Sequence, residues 1–307
     1  MIPLWRGIAN TWDCDEMGHM NVRVYVEKAY EGLGTFVERL GLPDAFRRGA
    51  FSTLVPTDQH IRFIHEVMPG RPLMMEGCVL EWDETSVTVF QVLRHGDGRP
   101  AAAFRTRLAH TALPSAREFP WNRNTRSRLN ELIDAPAEDC LPRGLDPIGP
   151  VLPDSETVID RIEACGAPEI GRGLVLPSHC DVHGRMLPAW FIGRISDAVP
   201  NLLHEWRQRL SDGATDKYIG AAVLEYRLKY RQWPRAGDRM TVHTSLVGTQ
   251  GKTHSLSHWA MNPDTGKAWM TSEAVAITFD LEARKAIAAP KERIDELRKL
   301  APPGLQI

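Results

Sequence analysis

Between Val22 and Leu40 the apolar residues Val22, Val26, Ala29, Leu33, Phe36, Val37 and Leu40 recur every three or four positions. That spacing lines one face of an α-helix and predicts a single long amphipathic helix, which Gly41 and Pro43 stop. A second helical stripe runs through Phe191, Ile195, Ala198, Leu202, Trp206 and Leu210, with Pro188 suited to its first turn. Pro200 falls inside this stripe, and its missing N–H and bulky ring predict a kink or break near residues 196–200. Beyond each helix the pattern changes to alternating stretches rich in β-branched and aromatic residues. They predict strands at 60–67, 73–82, 86–94 and 101–112, and again at 222–232, 240–247, 255–261 and 268–279. Gly96-Asp-Gly98 and Asn262-Pro-Asp-Thr-Gly266 supply hairpin turns. Further helices are predicted at 123–133 and 291–300.

The chain repeats itself. Cys14, Asp15, Gly18 and Met20 recur as Cys180, Asp181, Gly184 and Met186, each 166 residues later, and the turn glycines Gly70 and Gly237 are 167 apart. A nearly constant offset is the mark of a duplicated unit. The boundaries implied are 1–135 for the first domain, 136–154 for a linker rich in proline and glycine, and 155–307 for the second domain. Each copy reads as a short strand, a long helix and an antiparallel meander. A sheet curled around one helix buries that helix most simply, which gives an α+β class.

A length of 307 residues suits two such units, and 43% hydrophobic with 25% charged residues is ordinary globular usage. A net charge of -2 offers no basic field, so nucleic acid is not an expected partner. No window has the roughly 20 apolar residues that span a bilayer, and the first residues lack the pattern of a secretory leader, so a cytoplasmic protein is expected. Five scattered cysteines form no C-x-x-C pair, which argues against a disulfide framework and against zinc. Cys14 and Cys180 sit beside the repeated aspartates, where a nucleophilic thiol is weighed against an ordinary small, semi-buried one.

The run Asp13-x-Asp15-x-x-Gly18-His19-Met20-Asn21-x-x-x-Tyr25 leads straight into the first helix. It resembles the signature of the 4-hydroxybenzoyl-CoA thioesterase branch of hot-dog proteins, which includes plant acyl-carrier-protein thioesterases. The two-copy layout is similar to the latter. The resemblance implies two tandem hot-dog domains, each an antiparallel sheet wrapped around one long helix, paired as an internal pseudo-dimer. It also implies hydrolysis of an acyl-CoA or acyl-carrier-protein thioester without cofactor or metal, with Asp15 acting as nucleophile or as base for water, at the interface between the copies.

The chemistry supports that assignment on its own terms. A thioester needs an oxygen nucleophile and donors for the oxyanion that develops on its carbonyl. A loop feeding a helix offers both, because first-turn amides at about Met20 to Val24 lack helical partners. His19 and Asn21 are candidates to donate to the carbonyl or to hold Asp15 and water, while Gly18, Met20 and Tyr25 shape the substrate site. Plainer roles stand beside these: an N-cap for Asp15 or Asn21, a loop hydrogen bond for His19, and a core or wall position for Tyr25 and Trp190. Glu27 and Glu31 on the helix are weighed as rivals, since another hot-dog branch uses a helix glutamate. In the second copy Asp181 remains, but Arg185 and Leu187 replace His19 and Asn21. Asp181 and Arg185 are expected to contact substrate, for Arg185 through a phosphate of coenzyme A or phosphopantetheine. Pairing of Arg185 with Asp181 or Asp197 is the plainer reading. His179 and His183 show no partner in the sequence.

Two rival functions keep the fold. A thioester hydratase or dehydratase resembles an Asp-x-Asn-Pro-x-His pattern that this chain lacks. A non-catalytic acyl-thioester binding module predicts bound ligand without turnover. A tandem pair of this kind can also form a homo-oligomer through sheet edges or helices.

Overall fold

The computed structural model describes residues 1–150, 152–164, 166–210, 219–280 and 285–287. The chain divides into two compact units, one made of Met1–Arg143 with Asp181–Ala189 and the other of Gly144–Cys180 with Trp190–Ile307.

In unit 1, strand β1 (Ile2–Ile8) precedes helix α1 (Val22–Arg39), and strands β2 (Ser52–Phe63), β3 (Pro72–Trp82), β4 (Ser86–His95) and β5 (Pro100–Ala112) follow, then helix α2 (Arg123–Glu131). All pairings are antiparallel and the strand order is β1-β3-β4-β5-β2. The expected meander therefore holds only from β3 to β5. β2 pairs with β5 instead of β3: Ile64 and His65 N–H groups still donate to Ala101 O of β5, and residues 67–71 then give their backbone to the segment ahead of α1. Met20 N–H donates to Val67 O at 2.8 Å, Gly70 N–H to Ala9 O at 2.7 Å, and Ala9 N–H to Arg71 O at 3.3 Å.

Helix α1 buries Val24, Tyr25, Val26, Ala29, Leu33, Phe36 and Val37. Each fully buried Val, Leu or Phe among them contributes roughly 1.5–3 kcal/mol. Gly32 lets α1 approach the sheet: a Cβ there would lie 3.0 Å from Gln91 Nε2 and Met75 Sδ. Gln91 Nε2 then donates to Ala29 O of the helix at 2.8 Å. Every residue of β4 except Arg94 is buried, so the sheet is covered on both faces. Opposite α1, Cys140 packs with Cys78, Phe90, Val92 and Ala103. The Pro/Gly-rich segment expected to be an extended linker thus begins as a docked strap, and Arg62 Nη1 donates to Asp139 O at 2.7 Å and Leu141 O at 2.6 Å.

Unit 2 holds helix α3 (Ile159–Ala164), strand β6 (Glu169–Leu174), helix α4 (Pro188–Leu210, its first two residues belonging to unit 1), and strands β7 (Ile219–Tyr230), β8 (Arg239–Gln250), β9 (Thr253–Asn262), β10 (Lys267–Asp280) and β11 (Lys285–Ile287). Its order β6-β8-β9-β10-β7 repeats that of unit 1, with β11 added beside β10. Helix α4 continues through Pro200 without the expected break, anchored by buried Phe191, Ile192, Ile195, Ala198 and Leu202. The second half of the strap is held by β7: Gly144 and Leu145 N–H groups donate to the Glu225 carboxylate at 3.0–3.1 Å, and Arg227 Nη2 to Gly149 O at 2.8 Å. The helix expected at 291–300 lies outside the described residues. Among the described residues no helix is long and apolar enough to cross a membrane.

Candidate active site

The motif folds as a small hairpin between β1 and α1. Asn10 N–H donates to Asp13 Oδ2 at 2.8 Å, and Asp13 O accepts the Asn21 N–H at 2.9 Å, so the first aspartate fastens the loop. Cys14 pairs with Met20 across the hairpin, Asp15 N–H donates to His19 O, and Gly18 N–H returns to Asp15 O, both at 3.0 Å. Gly18 sits at φ 80° with open space where a Cβ would be. Conformation, not crowding, is therefore what requires glycine there. Met20 is a buried anchor, 1% exposed. Tyr25 is buried edge-on against Phe63, and a backbone hydrogen bond ties its phenol to Val67, while burial pushes the phenol pKa up.

This scaffold presents Asp15. Its side chain is only 14% exposed, its Oδ1 accepts the Met17 N–H at 3.0 Å, and its Oδ2 lies 3.3 Å from His19 Nδ1. Burial raises the carboxyl pKa above the ordinary value; the His19 charge and the backbone of Met17 and His19 oppose that rise, and Glu16 adds to it. On the other edge of the ring, Glu66 Oε1 stands 3.8 Å from His19 Nε2. Glu66 was not anticipated, because nothing in its local pattern marks it; only the bonding of Val67 to Met20 brings it to the site. Cys14 is an unsuited nucleophile: its Sγ donates to Asn10 O at 3.4 Å, and burial, Asp13 and Asp15 all push its pKa up.

The expected row of free amides at the start of α1 is shorter than supposed. Met20 N–H donates to Val67 O, Asn21 N–H to Asp13 O, Val24 N–H to Asn21 O, and Arg23 N–H to Asn21 Oδ1 at 2.9 Å. Among the described residues Val22 N–H alone of the five has no internal acceptor. Asn21 is the N-cap of α1, the plainer of its two expected roles, through its carboxamide oxygen. Glu27 and Glu31 turn outward, pairing with Arg23 at 2.9 Å and Lys28 at 3.3 Å.

The second loop is a conformational twin. Asp181 N–H donates to Arg185 O at 2.7 Å, Gly184 N–H to Asp181 O at 3.0 Å, and Gly184 sits at φ 78°. His179 replaces Asp13 as a cap, its Nδ1 accepting the Leu176 N–H at 3.1 Å, and its ring packs on Trp190 at 4.0 Å. His183, whose N–H donates to Asp181 Oδ1, reaches Ala45 O at 3.3 Å through Nε2. Arg185 pairs with Asp181 through Nε at 3.1 Å and Nη2 at 2.9 Å, as in the alternative weighed against a phosphate contact. Leu187 and Pro188 occupy the places of Asn21 and Val22.

Among the described residues no group of three or more His, Cys, Asp or Glu side chains is placed to hold a metal ion. A cleft of about 230 Å³ in unit 2, with Arg231, Lys267 and Thr157 in its wall, contains none of the expected site residues.

A family model described as the thioesterase-like superfamily matches residues 9–129 and 175–298. Three solved structures of similar fold have TM-scores of 0.66, 0.62 and 0.63. The first is a Lactobacillus plantarum protein described as an oleoyl thioesterase, 13% identical over 89% of this chain and 95% of that one. The second is an acyl-ACP thioesterase from Bacteroides thetaiotaomicron, 12% identical over 89% of this chain and 96% of that one. The third is the 12:0-ACP thioesterase from Umbellularia californica, 10% identical over 89% and 93%. No curated protein sequence matches the chain.

Proposed function

Because the chain belongs to the thioesterase-like superfamily, we propose that it hydrolyses an acyl-CoA or acyl-carrier-protein thioester at Asp15 of unit 1. The observation that carries this reading is the placement of a largely buried carboxylate beside His19, on a hairpin that ends at an uncommitted helix amide.

The chemistry follows from that placement. Asp15 either attacks the carbonyl carbon, giving an anhydride that water then opens, or takes a proton from water as that water attacks. In both routes the C–S bond breaks, the sulfur leaves with a proton as free thiol, and water supplies the second oxygen of the acid. Val22 N–H receives the negative charge that develops on the carbonyl oxygen, as a preorganised donor requires. His19 opposes the rise that burial imposes on the Asp15 carboxyl and orients it. Asn21 serves by capping the helix, which keeps the amide of Val22 aimed outward, and Gly18, Met20 and Tyr25 hold the loop and the wall of the site. Water is the co-substrate, and no cofactor enters the balance.

An acyl-carrier-protein substrate is favoured by the names of the Bacteroides and Umbellularia structures, and acyl-CoA shares the same phosphopantetheine thioester. The pairing of the copies as an internal pseudo-dimer belongs to the proposal and rests on the sequence repeat and the common strand order. So does a cytoplasmic setting, where the free thiols of Cys14, Cys78, Cys140 and Cys180 stay reduced.

The test is a panel of acyl-CoA and acyl-carrier-protein thioesters of graded chain length, with free thiol and free acid quantified together. Equal release of both is expected for at least one substrate. Turnover at the β-carbon with the thioester intact would instead indicate a hydratase, and tight binding without release a sensing module; either result overturns the hydrolase reading.

A further inference from the structure

We propose that the second aspartate loop is not a second catalytic centre but a clamp that fastens residues 181–189 onto unit 1, leaving one working centre per chain. The catalytic half of this inference rests on the function proposed above; the clamp half does not.

The backbone of the two loops is alike, so the difference lies in what each carboxylate is bonded to. An ionised carboxylate has about four lone-pair positions. Asp15 takes the backbone N–H groups of Met17 and His19 and turns Oδ2 toward the His19 ring, three neighbours in all, which leaves one position open. Asp181 receives four donors: His183 N–H at 2.8 Å and Arg185 N–H at 2.9 Å on Oδ1, and Arg185 Nε at 3.1 Å and Nη2 at 2.9 Å on Oδ2. Such a carboxylate has no lone pair left to attack a carbonyl or to take a proton from water. The oxyanion donor is missing as well. Pro188 stands where the first copy has Val22, and proline has no N–H to offer.

What the loop has gained is attachment. The side chains of Arg185 and Asp181 are 12% and 10% exposed. From that position Arg185 Nη2 reaches Thr53 Oγ1 at 3.4 Å, and His183 Nε2 lies 3.3 Å from Ala45 O. Tyr30 of α1, pushed up in pKa first by burial, also feels Asp181 and Arg185 in opposite senses. The cluster thus bonds the loop that follows α1 and the start of β2, both within unit 1.

A buried ion pair has a recognisable signature. Removing one partner strands the other charge and is costly, whereas removing both is less so. The experiment uses the full chain with Asp181→Ala, Arg185→Ala and the double variant, measured for melting temperature and for thiol release. Each single variant should melt lower by roughly 6–20 °C. The double variant should lose clearly less than the sum, and kcat and KM should stay within about threefold of wild type, well short of the tenfold that 1.4 kcal/mol represents. Where a single variant does not fold, Asp181→Asn keeps the acceptor atom and removes only the charge, and it should be less stable with unchanged kcat and KM. Melting at the wild-type temperature in both single variants would refute the clamp. A folded Asp181→Asn protein with kcat lowered or KM raised more than tenfold would show a second catalytic or substrate-binding site instead. Should the wild-type chain release no thiol from any substrate, the hydrolase reading fails while the melting cycle still decides the clamp.

Discussion

Replacing Val22 with proline removes one hydrogen atom that the mechanism needs while changing little else. The position is the first of α1, where proline's fixed φ is already suited to the helix and the lost N–H had no helical partner. Asn21, the residue before it, lies at φ −63° and ψ 142°, the extended geometry that a following proline demands. The second loop carries Pro188 at the same place and keeps the same hairpin bonds, which shows that the backbone tolerates the substitution. Stability should therefore change by no more than about 1 kcal/mol. The catalytic loss should be far larger. The amides of Met20, Asn21, Arg23 and Val24 are committed to Val67, Asp13 and Asn21, so none stands in for the missing donor. Loss of a single oxyanion donor costs about 10² to 10³ in kcat, or roughly 2.7–4 kcal/mol. Steady-state thiol release with the best substrate of the panel measures it, beside a melting curve. Val22→Ala, which keeps the amide, should retain kcat within about threefold, well under the tenfold that 1.36 kcal/mol represents. A folded Val22→Pro protein with near wild-type kcat would refute the assignment of this amide.

Three more outcomes follow from the loop. Gly18→Ala forces an alanine to φ 80° and should cost about 1–2 kcal/mol, seen as a lower melting temperature with reduced kcat as the hairpin shifts Asp15. Asp15→Asn should lower kcat by about 10² to 10⁴ yet stabilise the fold at neutral pH. The folded pKa of Asp15 is raised by burial, so its stabilising contribution is complete below the unfolded carboxyl pKa and lost as pH rises through the folded one. The melting difference between Asp15→Asn and wild type should thus grow from acidic to neutral pH; a constant difference would contradict it. His19→Gln removes the charge that opposes the rise in Asp15, so the acid limb of kcat/KM should move to higher pH.

Much of this architecture was readable from periodicity, because long amphipathic elements repeat their signal. Helix α1 ends at Arg39 against an expected Leu40, and β3 and β4 fall within one residue of their expected ends. β2 was cut short, beginning at Ser52 and not at residue 60, since Pro56 and the register shift beside it interrupt the alternation. The connection after Phe63 looked like more strand, whereas its backbone serves the motif hairpin. Strand order was illegible for a related reason: adjacency of β2 with β5 depends on long-range bonding, and local patterning carries no record of it. Helix α3, six residues long, is too short to show a period; Ile162 inserts among Trp259, Met261 and Ala268. At the candidate site, residue types were visible but commitments were not. No sequence signal separates the amide of Val22 from those of its neighbours, or marks Glu66 as lying near His19. The repeat itself held that information in part, because Pro188 and Arg185 show what the second loop has given up.

Asp15→Asn and Asp181→Asn, assayed side by side for thiol release from the preferred thioester, decide whether hydrolysis runs at Asp15 alone. The first, folded and at least as stable as wild type at neutral pH, should lose about 10² to 10⁴ in kcat, while the second turns over normally. A folded Asp15→Asn protein that releases thiol at the wild-type rate would remove Asp15 from the chemistry.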